Sequence, residues 1–157
     1  MLRRLRSLRP VPCTAIQFTG GEPTLHPRFL DILAAARELG FSHIQIASNG
    51  LKLVSREFTQ RCAAAGLHTV YIQFDGVGDA AYERTRGRRL WREKCQAIEN
   101  VHRAGMKVVL VPTIVRGVND DQVGPILQFA IENRHVISGI SYQPVCFTGR
   151  IDRNERL

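Results

Sequence analysis

The sequence has no long hydrophobic run, no closely spaced cysteines and no low-complexity segment. No apolar stretch approaches the roughly 20 residues of a membrane-spanning helix, and shares of 44% hydrophobic and 23% charged residues argue against disorder. The wide spacing of the cysteines argues against a zinc site, a redox motif and a secreted disulfide scaffold. They are Cys13, Cys62, Cys95 and Cys146. We therefore expect a cytoplasmic globular chain whose cysteines are buried as small hydrophobic side chains.

Acidic residues are also scarce. The sequence has 14 Asp and Glu residues and 22 Lys and Arg residues, which gives a formal charge of +8. A charge of this sign raises nucleic acid or another polyanion as a partner. The basic residues gather in MLRRLRSLRP (1–10) and ERTRGRRLWREK (83–94), and neither segment has the aromatic or glycine-rich pattern of a nucleic-acid-binding module. We interpret both segments as solvated faces, so nucleic acid is not the expected partner.

What the sequence does contain is an alternation of short strand-like segments with segments of helical periodicity. The strand-like segments are AIQFTG (15–20), HIQIASNG (43–50), TVYIQFDG (69–76), VVLVPTIV (108–115) and GISYQPV (139–145). Between them, apolar residues recur at three-to-four spacing, which predicts helices that pack one face on a sheet. The alternation predicts an α/β fold with parallel strands, either an open sheet or part of a (β/α) barrel.

Glycines and small polar residues mark the expected helix ends. Left-handed C-terminal caps are expected at three glycines that follow Ala/Leu-rich segments: Gly40, Gly66 and Gly105. Ser55 and Asp120 stand where N-caps are expected, and Pro27 suits a first helical turn.

Polar residues are concentrated at the carboxyl ends of the predicted strands. In both candidate architectures ligands bind at this edge, because loops and helix N-termini there present free backbone donors. The candidate binding residues are Gly20, Gly21, Glu22, Pro23, Ser48, Asn49, Gln73, Asp75, Thr113 and Gln143.

The stretch Gly20–Pro23 raises a specific question, since a turn alone does not require an acid. Its two glycines allow a ligand to approach the backbone closely, and Glu22 can accept hydrogen bonds from an ammonium group. A zwitterionic amino acid fits this combination, and a tight turn with a solvent-facing Glu22 fits it equally. Asn49 and Asp75 are ambiguous too: each precedes a glycine as in a turn, and each offers polar atoms to a ligand. Asp75 could also cap a short helix at GDAAYE (78–83).

Four motifs at successive strand ends together resemble the core of the radical S-adenosylmethionine (radical SAM) superfamily. They are TGGEPTLHP (19–27), SNGL (48–51), QFDG (73–76) and PTIVRGVND (112–120). The resemblance covers about residues 5–150. It implies a partial or complete (β/α) barrel of the TIM type with a four-iron, four-sulfur (4Fe-4S) cluster, which reductively cleaves S-adenosylmethionine to a 5′-deoxyadenosyl radical.

Longer stretches are similar to one branch of that superfamily. AIQFTGGEPTLHP, VYIQFDG, VVLVPTIVRGVNDDQ and YQPVCFTGR resemble the branch of tetraether lipid synthase and the dihydropterin-methylating proteins. They are more distantly similar to the molybdenum-cofactor biosynthesis enzyme that rearranges GTP.

The resemblance implies a role for each strand-end residue. Gly20–Pro23 matches the motif that binds the methionyl amino group of S-adenosylmethionine. Ser48 and Asn49 match a region near the methionyl part or the substrate. Gln73 and Asp75 match a region that reaches the ribose or carboxylate, where many members have serine in place of Gln73. Two residues at later strand ends face the same cavity: Thr113 and Gln143.

One family feature does not occur in the sequence: the cluster-binding triplet Cys-x3-Cys-x2-Cys. Soft iron centres require such thiolate ligands. The opening LRRLRSLRPVP (2–12) resembles the end of the family's first helix, and the similarity stops just after FTGR (147–150). We therefore expect residues 1–157 to be one internal segment of a radical SAM domain, with about five βα units, lacking the first strand and the cluster loop.

Two functional hypotheses remain. In the first, the parent enzyme uses S-adenosylmethionine and a 4Fe-4S cluster to activate a C–H bond, with lipid coupling or methylation as the implied reactions. It would act on a small-molecule or lipid substrate with an external electron donor, and these residues alone would be inactive. In the second, the chain is a degenerate, non-catalytic α/β domain that binds a nucleotide or another polyanion, which the charge of +8 supports.

Overall fold

A computed structural model describes residues 1–145, which form α-helices and β-strands joined mostly in alternation. The helices are α1 (Leu2–Arg6), α2 (Phe29–Glu38), α3 (Arg56–Ala64), α4 (Asp79–Arg86), α5 (Trp91–Arg103) and α6 (Val123–Glu132). The strands are β1 (Ala15–Phe18), β2 (His43–Ser48), β3 (Thr69–Gln73), β4 (Lys107–Val111), β5 (Thr113–Ile114), β6 (Ile137–Ile140) and β7 (Gln143–Pro144).

Five strands form one sheet in the order β1-β2-β3-β4-β6, and every neighbouring pair is parallel. β5 and β7 form a separate two-stranded parallel sheet in which Thr113 pairs with Gln143. The predicted parallel α/β architecture is therefore confirmed. Its parallel order brings the carboxyl ends of β1 to β4 to the same edge of the sheet.

Two of the predicted strands are divided in the structure. The segment 108–115 breaks between β4 and β5 at Pro112, which has no N–H to donate to a strand ladder. The segment 139–145 gives the end of β6 and then β7, and β6 begins at Ile137, two residues before the predicted start. The short pairing of β5 with β7 was not expected from the sequence.

The three glycine caps are confirmed, with φ of +83°, +105° and +75° at Gly40, Gly66 and Gly105. Ser55 is the N-cap of α3, and its hydroxyl accepts from Phe58 N at 3.3 Å.

Two of the predicted helix starts are wrong. Pro27 lies two residues before α2, whose N-cap is Arg28. Asp120 begins a short 3-10 turn instead of capping a helix, and its carboxylate accepts from Gly117 N.

The two faces of the five-stranded sheet differ sharply in burial. One face, which we call the covered face, carries side chains with 0% exposure: Ile44, Ile46, Val70, Ile72, Val108 and Leu110. Residues of α2, α3, α5 and α6 complete this hydrophobic core. The alternate residues of the strands form the other face, which we call the open face, and are only half-buried: Gln45, Ala47, Tyr71, Gln73, Val109 and Val111.

The predicted burial of the cysteines is confirmed fully for Cys62 and in part for Cys13 and Cys95, and the solvated-face prediction for the basic segments has one exception. Cys62 is fully buried, and burial raises the pKa of its thiol to about 12. Cys13 and Cys95 are half-buried, and Cys146 lies outside the described residues. Most arginines of segments 1–10 and 83–94 are exposed, but Lys94 is only 1% exposed, so the solvated-face interpretation is wrong for this residue. None of the helices in residues 1–145 is both long and apolar enough to span a bilayer.

Candidate functional site

A cavity of about 610 Å³ opens where β1 to β4 end. Its volume lies within the range of about 300–1,000 Å³ that is usual for small-molecule sites. Part of its wall comes from the open face, through Ala47, Tyr71, Gln73 and Val111. Among the candidate residues, those that line the cavity are Gly20, Gly21, Glu22, Ser48, Asn49, Gln73, Thr113 and Gln143. Pro23 and Asp75 are not among the lining residues.

Gly20 and Gly21 present bare backbone to this space. A Cβ added at either position would meet no heavy atom within 4 Å. Gly20 has φ +132°, a conformation that requires glycine, whereas Gly21 does not have a positive φ. Neither glycine is needed to relieve a contact within the protein, which fits the expectation that a ligand approaches the backbone here.

Glu22 is half-buried beside the cavity and is not a free acceptor. Its Oε1 accepts from Thr24 N at 3.2 Å, from Thr24 Oγ1 at 2.7 Å and from Ser48 Oγ at 2.9 Å. Its Oε2 accepts from Asn49 N at 2.7 Å. The carboxylate thus ties the loop after β1 to the end of β2, and most of its acceptor capacity is used within the protein.

The end of β2 is further fixed by Gly50 and Asn49. Gly50 has φ +79°, and a Cβ there would lie 2.5 Å from Ile72 Cδ1, so both conformation and space require glycine. Asn49 Oδ1 accepts from Leu51 N at 2.9 Å, and Asn49 O accepts from Lys94 Nζ at 2.7 Å. The loop that carries Ser48 and Asn49 is therefore held by side chains from two other parts of the fold.

Asp75 lies below the cavity with 0% exposure. Its Oδ2 accepts from Arg86 Nε at 2.6 Å and from Gln73 Nε2 at 3.2 Å, and its Oδ1 accepts from Thr113 N at 3.3 Å. It does not cap α4, whose N-cap is Gly78. A buried carboxylate requires such partners, so the structure assigns Asp75 to joining the end of β3 to the start of β5 and to orienting Arg86.

Two cationic residues of this site were missed in the sequence. The Arg86 side chain is 39% exposed and lines the cavity. Lys94 is buried, and this burial lowers its pKa to about 8, although Asp75 acts in the opposite direction. Both lie in the arginine-rich segment 83–94, where nothing local distinguishes them from the exposed residues. Tyr71 could have been found, because it precedes Gln73 by two and thus shares its face of the strand.

The described residues do not fit an iron–sulfur cluster. Within residues 1–145 there is no group of three or more His, Cys, Asp or Glu side chains that could hold a metal ion. Cys62 is in the hydrophobic core, and Cys13 precedes β1 at the opposite edge of the sheet. The cavity itself, with bare backbone, side-chain amides and a guanidinium, fits a zwitterionic ligand such as S-adenosylmethionine.

Comparison with known sequences agrees with this description. A sequence model of the radical SAM superfamily matches residues 1–130. The 7,8-dihydro-6-hydroxymethylpterin dimethyltransferase of Methanocaldococcus jannaschii is 46% identical over 158 residues, which cover 100% of this chain and 31% of that protein. The GTP 3′,8-cyclase of Trichormus variabilis is 27% identical over 145 residues, 87% of this chain and 42% of the cyclase. The chain thus spans about a third of the methyltransferase and two fifths of the cyclase.

Two solved structures share the fold. SuiB of Streptococcus suis superposes with a TM-score of 0.71 and 19% identity, over 85% of this chain and 30% of SuiB. A domain of the pyruvate-formate lyase-activating enzyme of Bacteroides vulgatus superposes with a TM-score of 0.55 and 20% identity, over 73% of this chain and 70% of that domain. At these identities the likeness concerns the fold alone.

Proposed function

The chain belongs to the radical SAM superfamily, and from this premise we propose that the cavity at the strand ends binds S-adenosylmethionine. The family predicted from the strand-end motifs is confirmed, including the similarity to pterin-methylating and GTP-rearranging members. The observation that carries the proposal is the bare backbone of Gly20 and Gly21 in one cavity with the Arg86 guanidinium.

The two charged groups of the methionyl part would have separate partners. Backbone carbonyls exposed by Gly20 and Gly21 would accept from the ammonium group, because the carboxylate of Glu22 is already bonded within the protein. Arg86 would receive the carboxylate, because guanidinium groups bind carboxylates strongly. Its bond from Nε to Asp75 orients the side chain at the cavity. The amides of Asn49 and Gln73 would serve the remaining polar groups of the ligand.

We propose that the chain's own contribution is to bind and orient this ligand. In this superfamily S-adenosylmethionine supplies the bond whose cleavage starts radical chemistry. Because the described residues offer no ligand set for a cluster, no step through a cluster is assigned to them. For the whole protein we propose methylation of a small molecule, as the name of the 46% identical relative suggests.

A leucine at Gly21 tests the binding site. The substitution would fill open space without straining the backbone. The fold should therefore persist, while the leucine side chain occupies part of the proposed ligand site. We expect the binding of labelled S-adenosylmethionine, measured by equilibrium dialysis, to weaken by at least about 10-fold, equivalent to about 1.4 kcal/mol. Gly124→Leu is the matched control, because Gly124 is also exposed, has no positive φ, has free space around it and lies in α6.

Two results would contradict the proposal. If both variants bind like the wild type, the ligand does not occupy the cavity beside Gly21. If ATP displaces S-adenosylmethionine as well as unlabelled S-adenosylmethionine does, the site recognises a nucleotide or polyanion, as the alternative hypothesis requires.

A domain exchange tests the reaction class. The chain would replace the matching third of the Methanocaldococcus jannaschii methyltransferase, and methylation of 7,8-dihydro-6-hydroxymethylpterin by the hybrid would be measured. Retained methylation, abolished by Gly21→Leu, supports the proposal. A folded hybrid that binds S-adenosylmethionine but does not methylate the pterin would contradict a shared reaction class.

A further inference from the structure

The backbone of Asn49 is held between two opposite charges. Its N–H donates to the Glu22 carboxylate at 2.7 Å, and its carbonyl accepts from the Lys94 ammonium at 2.7 Å. Both bonds are charge-assisted, and such bonds are about twice as strong as neutral ones. Glu22 belongs to the loop after β1 and Lys94 to α5, so Asn49 is fixed from two separate elements.

The side chain of Asn49 has one end fixed as well. Its Oδ1 accepts from Leu51 N at 2.9 Å, which determines which end of the amide is the acceptor. The Nδ2 group donates to no residue in the part of the chain that the structure describes, and Asn49 lines the cavity. The two donors of Nδ2 are therefore available to a ligand.

Lys94 is an unusual residue for this place. It is only 1% exposed, and a buried ammonium is unfavourable unless it is well paired. Its Nζ lies 5.7 Å from the centre of the Tyr82 ring, and its charge is also influenced by groups from the neighbouring elements: Asp75, Arg86, Glu22 and Glu93. A methionine of similar length would fill the same space without this penalty, so packing does not explain the charge.

We propose that Lys94 is a positioning residue for the ligand site, which together with Glu22 holds the Asn49 backbone so that the Asn49 amide donors face the cavity. This inference rests on the proposed binding of S-adenosylmethionine. It assigns Glu22 to the positioning of Asn49 and not to the ligand's ammonium group. Since the pKa of Lys94 is lowered to about 8, the hold on Asn49 should weaken as pH rises through that value.

A measurement without ligand tests the positioning itself. The carbonyl ¹³C shift of Asn49 would be followed in the full 157-residue chain from pH 6.5 to 9.5. We expect a titration with a midpoint near 8 in the wild type and none in Lys94→Met. Lys52→Met, which removes an exposed lysine of the adjoining turn, should keep the wild-type titration. Absence of the titration in the wild type, or its persistence in Lys94→Met, would overturn the inference.

Binding of S-adenosylmethionine at several pH values tests the consequence for the ligand. We expect Lys94→Met to bind about 10-fold more weakly at pH 7, consistent with the loss of one charged hydrogen bond. The affinity of the wild type should decline above pH 8, and that of Lys94→Met should not. Lys52→Met should resemble the wild type. Glu22→Gln combined with Lys94→Met should weaken binding less than the two single effects predict together, because both residues hold one backbone.

The two proposals fail in different ways. If the wild type does not bind S-adenosylmethionine, the proposed function fails. The titration of the Asn49 carbonyl shift still tests whether Lys94 fixes the Asn49 backbone. If the wild type binds but Lys94→Met has the same affinity and pH profile, the role of Lys94 is wrong and the binding site stands.

Discussion

The covered and open faces of the central sheet are built from the same strands but carry different chemistry. Val108 and Leu110 on β4 are fully buried against helices, whereas Val109 and Val111 beside them are half-buried on the cavity side. Parallel sheets are usually covered on both faces, so the described residues place most of their hydrophobic stabilisation on one side. The residues that stabilise the fold and the residues that line the cavity are therefore separated by the two-residue alternation of a strand.

Truncation of a covered-face residue should give the largest effect. We expect Leu110→Ala to lower the free energy of unfolding by about 2–5 kcal/mol, because it removes buried methyl groups and leaves a cavity. Val109→Ala, one position away on the open face, should lower it by less than about 1 kcal/mol, since its side chain is only partly removed from water. Urea unfolding of both variants provides the measurement. Equal losses would show that the open face is as important to stability as the covered one.

A smaller effect concerns Lys94, a buried ammonium of α5. Because the pKa of Lys94 is lowered from 10.5 to about 8, the unfolded chain binds more protons than the folded chain between these values. The contribution of Lys94 to stability is therefore fully present above pH 10.5 and is lost as pH falls through 8. It should amount to about 3 kcal/mol.

The pH dependence can be isolated by comparing the wild type with Lys94→Met in urea at pH 7, 9 and 10.5. Other lysines and tyrosines titrate in both proteins, so the informative quantity is the difference between them. Lys94→Met should be more stable than the wild type at pH 7, and this advantage should shrink as pH rises. A constant difference would mean that the Lys94 ammonium is not penalised by burial.

The smallest expected effect lies at the amino ends of the strands, opposite the cavity. His43 and His68 stack with ring centroids 5.5 Å apart, and His68 Nδ1 accepts from Ile44 N at 3.1 Å. Partial burial and the neighbouring His43 lower the pKa of His68 below 6.5. Its contribution to stability is thus present above pH 6.5 and is lost as pH falls.

His68→Gln provides the comparison for this prediction. Thermal melts at pH 7.5 and 5.5 should show a slightly larger decrease in melting temperature for the wild type than for the variant. This difference in melting temperature should correspond to a much smaller free energy of unfolding than the loss in Leu110→Ala, because His68 is exposed to solvent. A larger decrease in the variant would reverse the sign of the proposed effect.

Local features of the sequence were predicted well, whereas long-range contacts were not. The glycine caps at Gly40 and Gly66 follow from short-range conformational preferences, and the parallel order of strands brings their polar ends together. The burial of Lys94 depends on a contact with Asn49, 45 positions earlier, and no pattern within residues 83–94 contains that information. The same holds for Asp75, whose carboxylate is bonded to Arg86 and Thr113.

The alternation of side chains along each strand also has a consequence for the evolution of such a protein. Tyr71 and Ile72 are adjacent in the chain, but only Tyr71 lines the cavity and only Ile72 is in the core. A mutation of Tyr71 therefore changes the wall of the cavity, whereas a mutation of Ile72 changes the packing of the core. Residues of the open face can therefore change in a lineage while its core sequence stays the same.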